Sequence, residues 1–161
     1  MATAGPRRRS SDVRRPRPLP FGPVPGGIGP ADPAGVMRSI DFALDAARRH
    51  RRPMTLVAIT APHDAGDVEL ARLADIVRRT VRDTDGLWRD GQESLVLLLT
   101  DADGPNSEPA LARIRMRLRG EGLSGASMGR AAPAPGIAAP DLLALAHDDL
   151  RPIAGRRPPA G

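Results

Sequence analysis

The chain contains no cysteine, no lysine and no tyrosine, and its 161 residues include only three aromatic side chains, Phe21, Phe42 and Trp88. Without cysteine there are no disulfides, thiol nucleophiles, iron–sulfur clusters or Cys-based zinc sites. Three scattered histidines (His50, His63 and His147) leave little for a transition-metal centre. So few aromatics supply no stacking platform for single-stranded nucleic acid. No apolar run approaches the roughly 18–20 residues of a membrane span. The basic N-terminus lacks the apolar core, roughly 7–15 residues long, of a signal peptide. These absences read as a soluble, cytoplasmic chain with no membrane span.

What is present is arginine. All 24 basic residues are Arg, against 19 acids, for a formal charge of +5. Residues 1–20 hold six Arg and one Asp, while the other 141 residues hold eighteen of each sign. The excess charge therefore sits in the first twenty residues. Residues 1–33 also contain eight Pro and five Gly with almost no periodic apolar residues. Such a segment cannot bury enough surface to offset its ordering entropy, so disorder is expected for 1–33 and for the RRPPAG end, 154–161. Nucleic acid as a partner is limited to weak, non-specific contacts of the basic tail through counterion release. Residues 34–153 form the predicted folded domain, enough for one modest core.

Within that domain, Val36, Ile40, Leu44 and Ala47 mark one face of a helix that stops at Pro53. MTLVAIT (54–60) has the length and apolarity of a buried strand. A second helix starts near Asp67, with Leu70, Leu73, Ala74, Val77 and Val81 facing inward. Residues 86–100 read as strand, tight turn at Asp90-Gly91, and a strongly apolar strand. A third helix is expected over about Glu108–Arg119, a weak strand around Ser124–Arg130, and a last helix opened by Pro140. That helix carries Leu142, Leu143, Leu145, Ala146 and Leu150 on its inner face. The order α-β-α-β-β-α-β-α predicts an α+β fold, a small central mixed or antiparallel sheet flanked by helices.

At this point the residues resemble a known family. RDGQESLVLLL (89–99) is similar to the RYGGDEFVVLL hairpin of GGDEF domains, the diguanylate cyclase family. Pro53–Thr60 resembles the strand after that family's first helix, and His63, Gly66, Asp67 and Leu70 match its GHxxGDxxL pattern. ALARIRMRL, SMGRA (127–131) and LLALAHDDL (142–150) resemble the later helix, strand and closing helix. The likeness covers about residues 32–151 with element order intact. It implies a nucleotide-cyclase-like fold with a ferredoxin-like core.

The resemblance also implies what is missing. Active members join two GTP molecules with a divalent metal held by carboxylates, because Mg²⁺ takes hard oxygen ligands. Here Thr60 and Pro62 occupy the two strand Asp places, and the segment carrying the guanine-reading Asn is largely absent. Asp67 is retained at a guanine-contacting position. The signature has become Gly91, Gln92, Glu93, Ser94, Leu95. Gln92 crowds the place of a glycine, Ser94 replaces an acid, and Glu93 alone is a poor metal site or simply a solvated turn residue. No catalytic residue and no metal ligand is assigned.

Many family members carry RxxD five residues before the signature as a product-binding site. Arg82-Asp83-Thr84-Asp85 has that spacing to Gly91, and Arg113 falls at the matching position on the following helix. Arg can donate a two-pronged pair to guanine O6 and N7, and a carboxylate can accept from N1–H and N2–H₂. The bare motif recurs at Arg9–Asp12, Arg38–Asp41 and Arg72–Asp75, so only its spacing singles this copy out. An ordinary surface ion pair, worth about 0–1 kcal/mol, is the competing reading. His63 with Asp64 and Asp67 reads as helix-start capping, His147 with Asp148 and Asp149 as a solvated helix face, and Gly26–Gly29 as linker. The expectation is a catalytically inactive GGDEF-like signalling domain with cyclic di-GMP as ligand at Arg82, Asp85 and Arg113, and with Asp67 as a further nucleotide-binding candidate. The alternatives are a module that binds an unidentified partner protein without nucleotide, and a weakly active cyclase. Only the last calls for a cofactor, Mg²⁺.

Overall fold

The computed structural model describes residues 32–153. Most of the expected disorder, 1–31 and 154–161, lies outside the described residues. Asp32 and Pro33 do not belong to a tail. The Asp32 carboxylate accepts from the Gly35 amide at 3.0 Å and caps helix α1 (Pro33–His50), with Pro33 in its first turn.

The remaining elements follow as β1 (Met54–Thr60), α2 (Asp67–Thr80), β2 (Gly86–Asp90), β3 (Ser94–Thr100), α3 (Gly104–Gly120), β4 (Ser127–Ala131), α4 (Ala139–Asp148) and β5 (Arg151–Pro152). The five strands form one sheet in the order β2-β3-β1-β4-β5, with every pairing antiparallel. The sheet is thus antiparallel throughout.

The apolar runs of β1 and β3 have a direct cause. Val57, Ile59, Leu95, Leu97 and Leu99 point to one face and pack with Leu70, Leu73, Val77, Ile114 and Leu118 of α2 and α3. Leu56, Ala58, Val96 and Leu98 point to the other and pack with α1 and α4. A strand covered on both faces has no polar side, so alternation disappears and a continuous hydrophobic run remains.

Several boundaries differ from the sequence reading. Helix α3 starts four residues earlier than expected, because the Asp103 carboxylate accepts from the Asn106 amide at 2.9 Å; Pro109 lies within the helix. The hairpin connection spans Gly91–Glu93, and Asp90 is the last residue of β2, paired with Ser94. Gly91 has φ +75°, the left-handed conformation that a glycine adopts without steric penalty. Leu145 is exposed, and Leu150 and Val81 lie beyond the ends of α4 and α2. The short edge strand β5, which seats Ile153 in the core, was not anticipated.

Gly129 on β4 holds the closest approach of sheet and helix. A side-chain carbon there would meet the Ala146 carbonyl oxygen and, at 2.6 Å, the Leu150 amide nitrogen, both backbone atoms of the α4 region. Backbone cannot swing aside as a side chain can. Gly129→Ala is expected to destabilise the fold by about 1–3 kcal/mol, the usual range for overpacking, measured by urea unfolding. A change below a few tenths would show that α4 moves freely against β4.

Candidate functional site

Two corners of the molecule carry the residues singled out by sequence, and they lie at opposite ends of β3. A seven-residue strand at about 3.4 Å per residue separates them by about 20 Å.

The first corner is the β2–β3 hairpin end. Thr60 and Ser94 pair directly across β1 and β3, and their hydroxyl oxygens lie 3.4 Å apart. The Ala61 amide donates to the Glu93 carbonyl at 2.7 Å, closing the loop against β1. Gln92 and Glu93 are exposed, and Leu95 is buried in the core. Two facing hydroxyls thus stand where the family resemblance implies carboxylates. Among the described residues, no group of three or more His, Asp or Glu side chains is arranged to hold a metal ion.

Asp67 is taken up at this same corner. Arg89 donates to its carboxylate at 2.8 Å and, through Nε, to the Gly91 carbonyl at 3.0 Å. It therefore stays far from Arg82, at the other end of the 14-residue helix α2. The expected capping by Asp64 and Asp67 is not found, for α2 has no side-chain cap. His63 and Asp64 are exposed and 3.5 Å apart. His147 is not on a solvated face: its Nε2 lies 3.2 Å from an Asp90 carboxylate oxygen, joining α4 to β2. Asp149 accepts from the Arg130 amide at 3.0 Å.

The second corner surrounds Arg82, Asp85 and Arg113, and the structure brings these three together. They line one cleft of about 240 Å³ with Asp101, Asn106 and Pro109. They arrive from three places in the fold: Arg82 and Asp85 from the turn after α2, Arg113 from α3, and Asp101 from the turn after β3.

Asp85 is 3% exposed. One carboxylate oxygen accepts from the Arg82 amide at 3.0 Å, and the other accepts from the Thr100 amide at 3.1 Å and faces its hydroxyl at 3.4 Å. The Arg82 guanidinium stands 3.7 Å away and donates to the Thr100 carbonyl at 2.6 Å. Asp85 therefore forms the floor of the cleft with its oxygens turned to its own chain. Reaching out to a base would leave two amides unpaired. Behind it, Arg78 donates to the Asp85 carbonyl at 3.1 Å; burial lowers the Arg78 pKa, and Asp83 and Asp85 partly offset that. Arg113 is exposed and has no hydrogen-bond or ion-pair partner among the described residues.

Beside the cleft, Glu108 on α3 accepts from Arg115 at 2.7 Å and from Arg130 at 2.6 Å. The hydrogen bond from Arg115 is the main reason its carboxyl sits below the ordinary range.

No protein-family model and no curated protein matches the sequence. Solved structures do match. Diguanylate cyclase SiaD from Pseudomonas aeruginosa, solved with its activator SiaC, is 20% identical with a TM-score of 0.64, over 73% of this chain and 52% of SiaD. The FimX GGDEF domain, also from Pseudomonas aeruginosa, is 21% identical, with a TM-score of 0.63 over 76% of this chain and 91% of that one. The GGDEF domain of DgcB from Caulobacter crescentus, solved in complex with c-di-GMP, is 14% identical, with a TM-score of 0.64 over 75% and 81%.

The fold is that of a GGDEF domain. This chain spans about half the length of the SiaD chain it matches. Within the GGDEF fold, the hydroxyl pair Thr60–Ser94 and the Arg82–Arg113 cleft occupy the two ends of one strand.

The family resemblance singled out Arg82, Asp85 and Arg113 but could not tell which way Asp85 faces. Its direction depends on the Thr100 amide, fifteen residues away. Asp85→Asn keeps one acceptor but sets an NH₂ donor against a backbone N–H. It should cost about 1–3 kcal/mol of stability, the penalty for an unsatisfied buried group, and speed hydrogen exchange at the Thr100 amide. Unchanged unfolding would contradict the structural role given to this carboxylate.

Proposed function

We propose that the chain is a catalytically inactive signalling domain built on the GGDEF fold. The observation that carries this reading is the Thr60–Ser94 hydroxyl pair, 3.4 Å apart, where a cyclase needs carboxylates for its metal. Glu93 stands exposed beside it, and among the described residues no group of three or more acids or histidines is arranged to share a cation.

Its ligand in this reading is cyclic di-GMP, bound at the Arg82–Arg113 cleft. Three points support it. Arg82, Asp85 and Arg113 line one hollow although 31 positions separate the first from the last. Arg82 is held in place from below, so little side-chain freedom is lost on binding. Arg113 offers a guanidinium with no competing partner among the described residues, a group suited to guanine O6 and N7. DgcB, which shares the fold, was solved with c-di-GMP. In this reading Asp85 positions Arg82 and does not itself touch the base.

Two measurements test it. Incubation with GTP and Mg²⁺ or Mn²⁺, followed by mass spectrometry, should give no cyclic di-GMP; robust product would restore the cyclase reading. Calorimetry with cyclic di-GMP should show binding that Arg82→Ala weakens by a factor of about 5–150, the equivalent of losing one bidentate base contact. Arg38→Ala, in an RxxD copy on α1, should leave it unchanged. Absence of binding would favour a module that engages a partner protein instead.

A further inference from the structure

We infer that the groove between α2 and α3 is the second half of the same ligand site, taking the second nucleotide of a cyclic dinucleotide whose first base lies in the Arg82–Arg113 cleft. The inference rests on the cyclic di-GMP reading above. The cleft, at about 240 Å³, is smaller than the roughly 300–1,000 Å³ of pockets that enclose a drug-sized molecule. It can hold a base but not a whole dinucleotide, so the rest of the ligand must lie on a neighbouring surface.

Such a surface adjoins the cleft at Arg113. A shallower groove of about 560 Å³ runs between the C-terminal halves of α2 and α3, lined by Arg79, Thr80, Met116, Arg117 and, again, Arg113. Arg113 is thus the ridge between the two hollows. Arg113, Met116 and Arg117 stand at i, i+3 and i+4, which places them on one face of α3.

The charge of both hollows points to an anion. Every acid in their walls already has a partner: Asp85 its two amides, Asp101 the Arg52 side chain at 3.8 Å, and Glu121 the Arg72 side chain at 3.5 Å. Arg113 and Arg117 have none among the described residues. The uncompensated charge in these walls is therefore positive. Between the two cations, Met116 is 68% exposed. A polarisable thioether with free rotamers gives a flat purine an apolar surface to lie on, while Arg117 meets the phosphate as a planar, permanently charged donor.

Calorimetry of the full chain with cyclic di-GMP tests this. Arg117→Ala should weaken binding about tenfold and Met116→Ala by a smaller but measurable factor. Arg49→Ala, which removes an exposed charge on α1, should have no effect. All three side chains are exposed, and thermal unfolding should confirm that each variant stays folded. If Arg117→Ala and Met116→Ala bind like the parent while Arg82→Ala binds weakly, the groove plays no part and only the cleft reading survives. Equal losses at Arg49 and Arg117, with none at Met116, would mean general attraction of anions and would overturn the inference. If the parent chain does not bind, or Arg82→Ala binds as well as it does, the cleft reading falls and takes this one with it.

Discussion

One buried carboxylate organises the end of the molecule that holds the Arg82–Arg113 cleft. Asp85 ties the turn after α2 to the last residue of β3 by accepting from the amides of Arg82 and Thr100. A buried anion is tolerated only when its oxygens are satisfied, and charge-assisted bonds to amides are among the stronger ones a chain can form. The consequence reaches beyond stability. With Thr100 and Arg82 fixed against each other, the Arg82 guanidinium lies on the Thr100 carbonyl, and α3 brings Arg113 to the opposite wall. The cleft is lined by charged groups on two turns and one helix, and this knot ties the α2–β2 turn to the end of β3.

At the far end of β3 no such demand remains. Thr60 and Ser94 close the strand ends with two hydroxyls, and Arg89 holds both Asp67 and the hairpin loop. These contacts tie the hairpin loop to β1 and to the start of α2. The scaffold does not depend on these rim residues. Its two cores rest on Val57, Ile59, Leu95 and Leu97 on one face and on Leu56, Ala58, Val96 and Leu98 on the other. Fold and chemistry are separable for this reason: the sheet is held by residues that never reach the rim.

The same separation explains how much could be read in advance. The apolar runs 54–60 and 94–100, the period of α1 and α2, and the place of the hairpin are local patterns, and each appears where expected. The early start of α3 was hidden by Pro105 and Pro109, which look like loop residues until Asp103 is seen to cap the helix. Strand β5 is two residues long and exists only because β4 offers an edge. At the site, the family resemblance grouped Arg82, Asp85 and Arg113, and they line one cleft. The inward turn of Asp85, the His147–Asp90 pair and the capture of Asp67 by Arg89 each depend on a partner distant in sequence, so no local pattern announces them. The groove beside α3 was missed as well, although Arg113, Met116 and Arg117 at helical spacing were a signal that could have found it.

The most direct measurement is the set of arginine side-chain NMR signals during a cyclic di-GMP titration. The account predicts saturable shifts confined to the guanidinium groups that line the cleft and its neighbouring groove, led by Arg82 and Arg113. The backbone amides of Arg82 and Thr100, held by Asp85, should remain protected from exchange throughout. Unmoved signals at Arg82 and Arg113, or small equal shifts spread over every arginine, would contradict it.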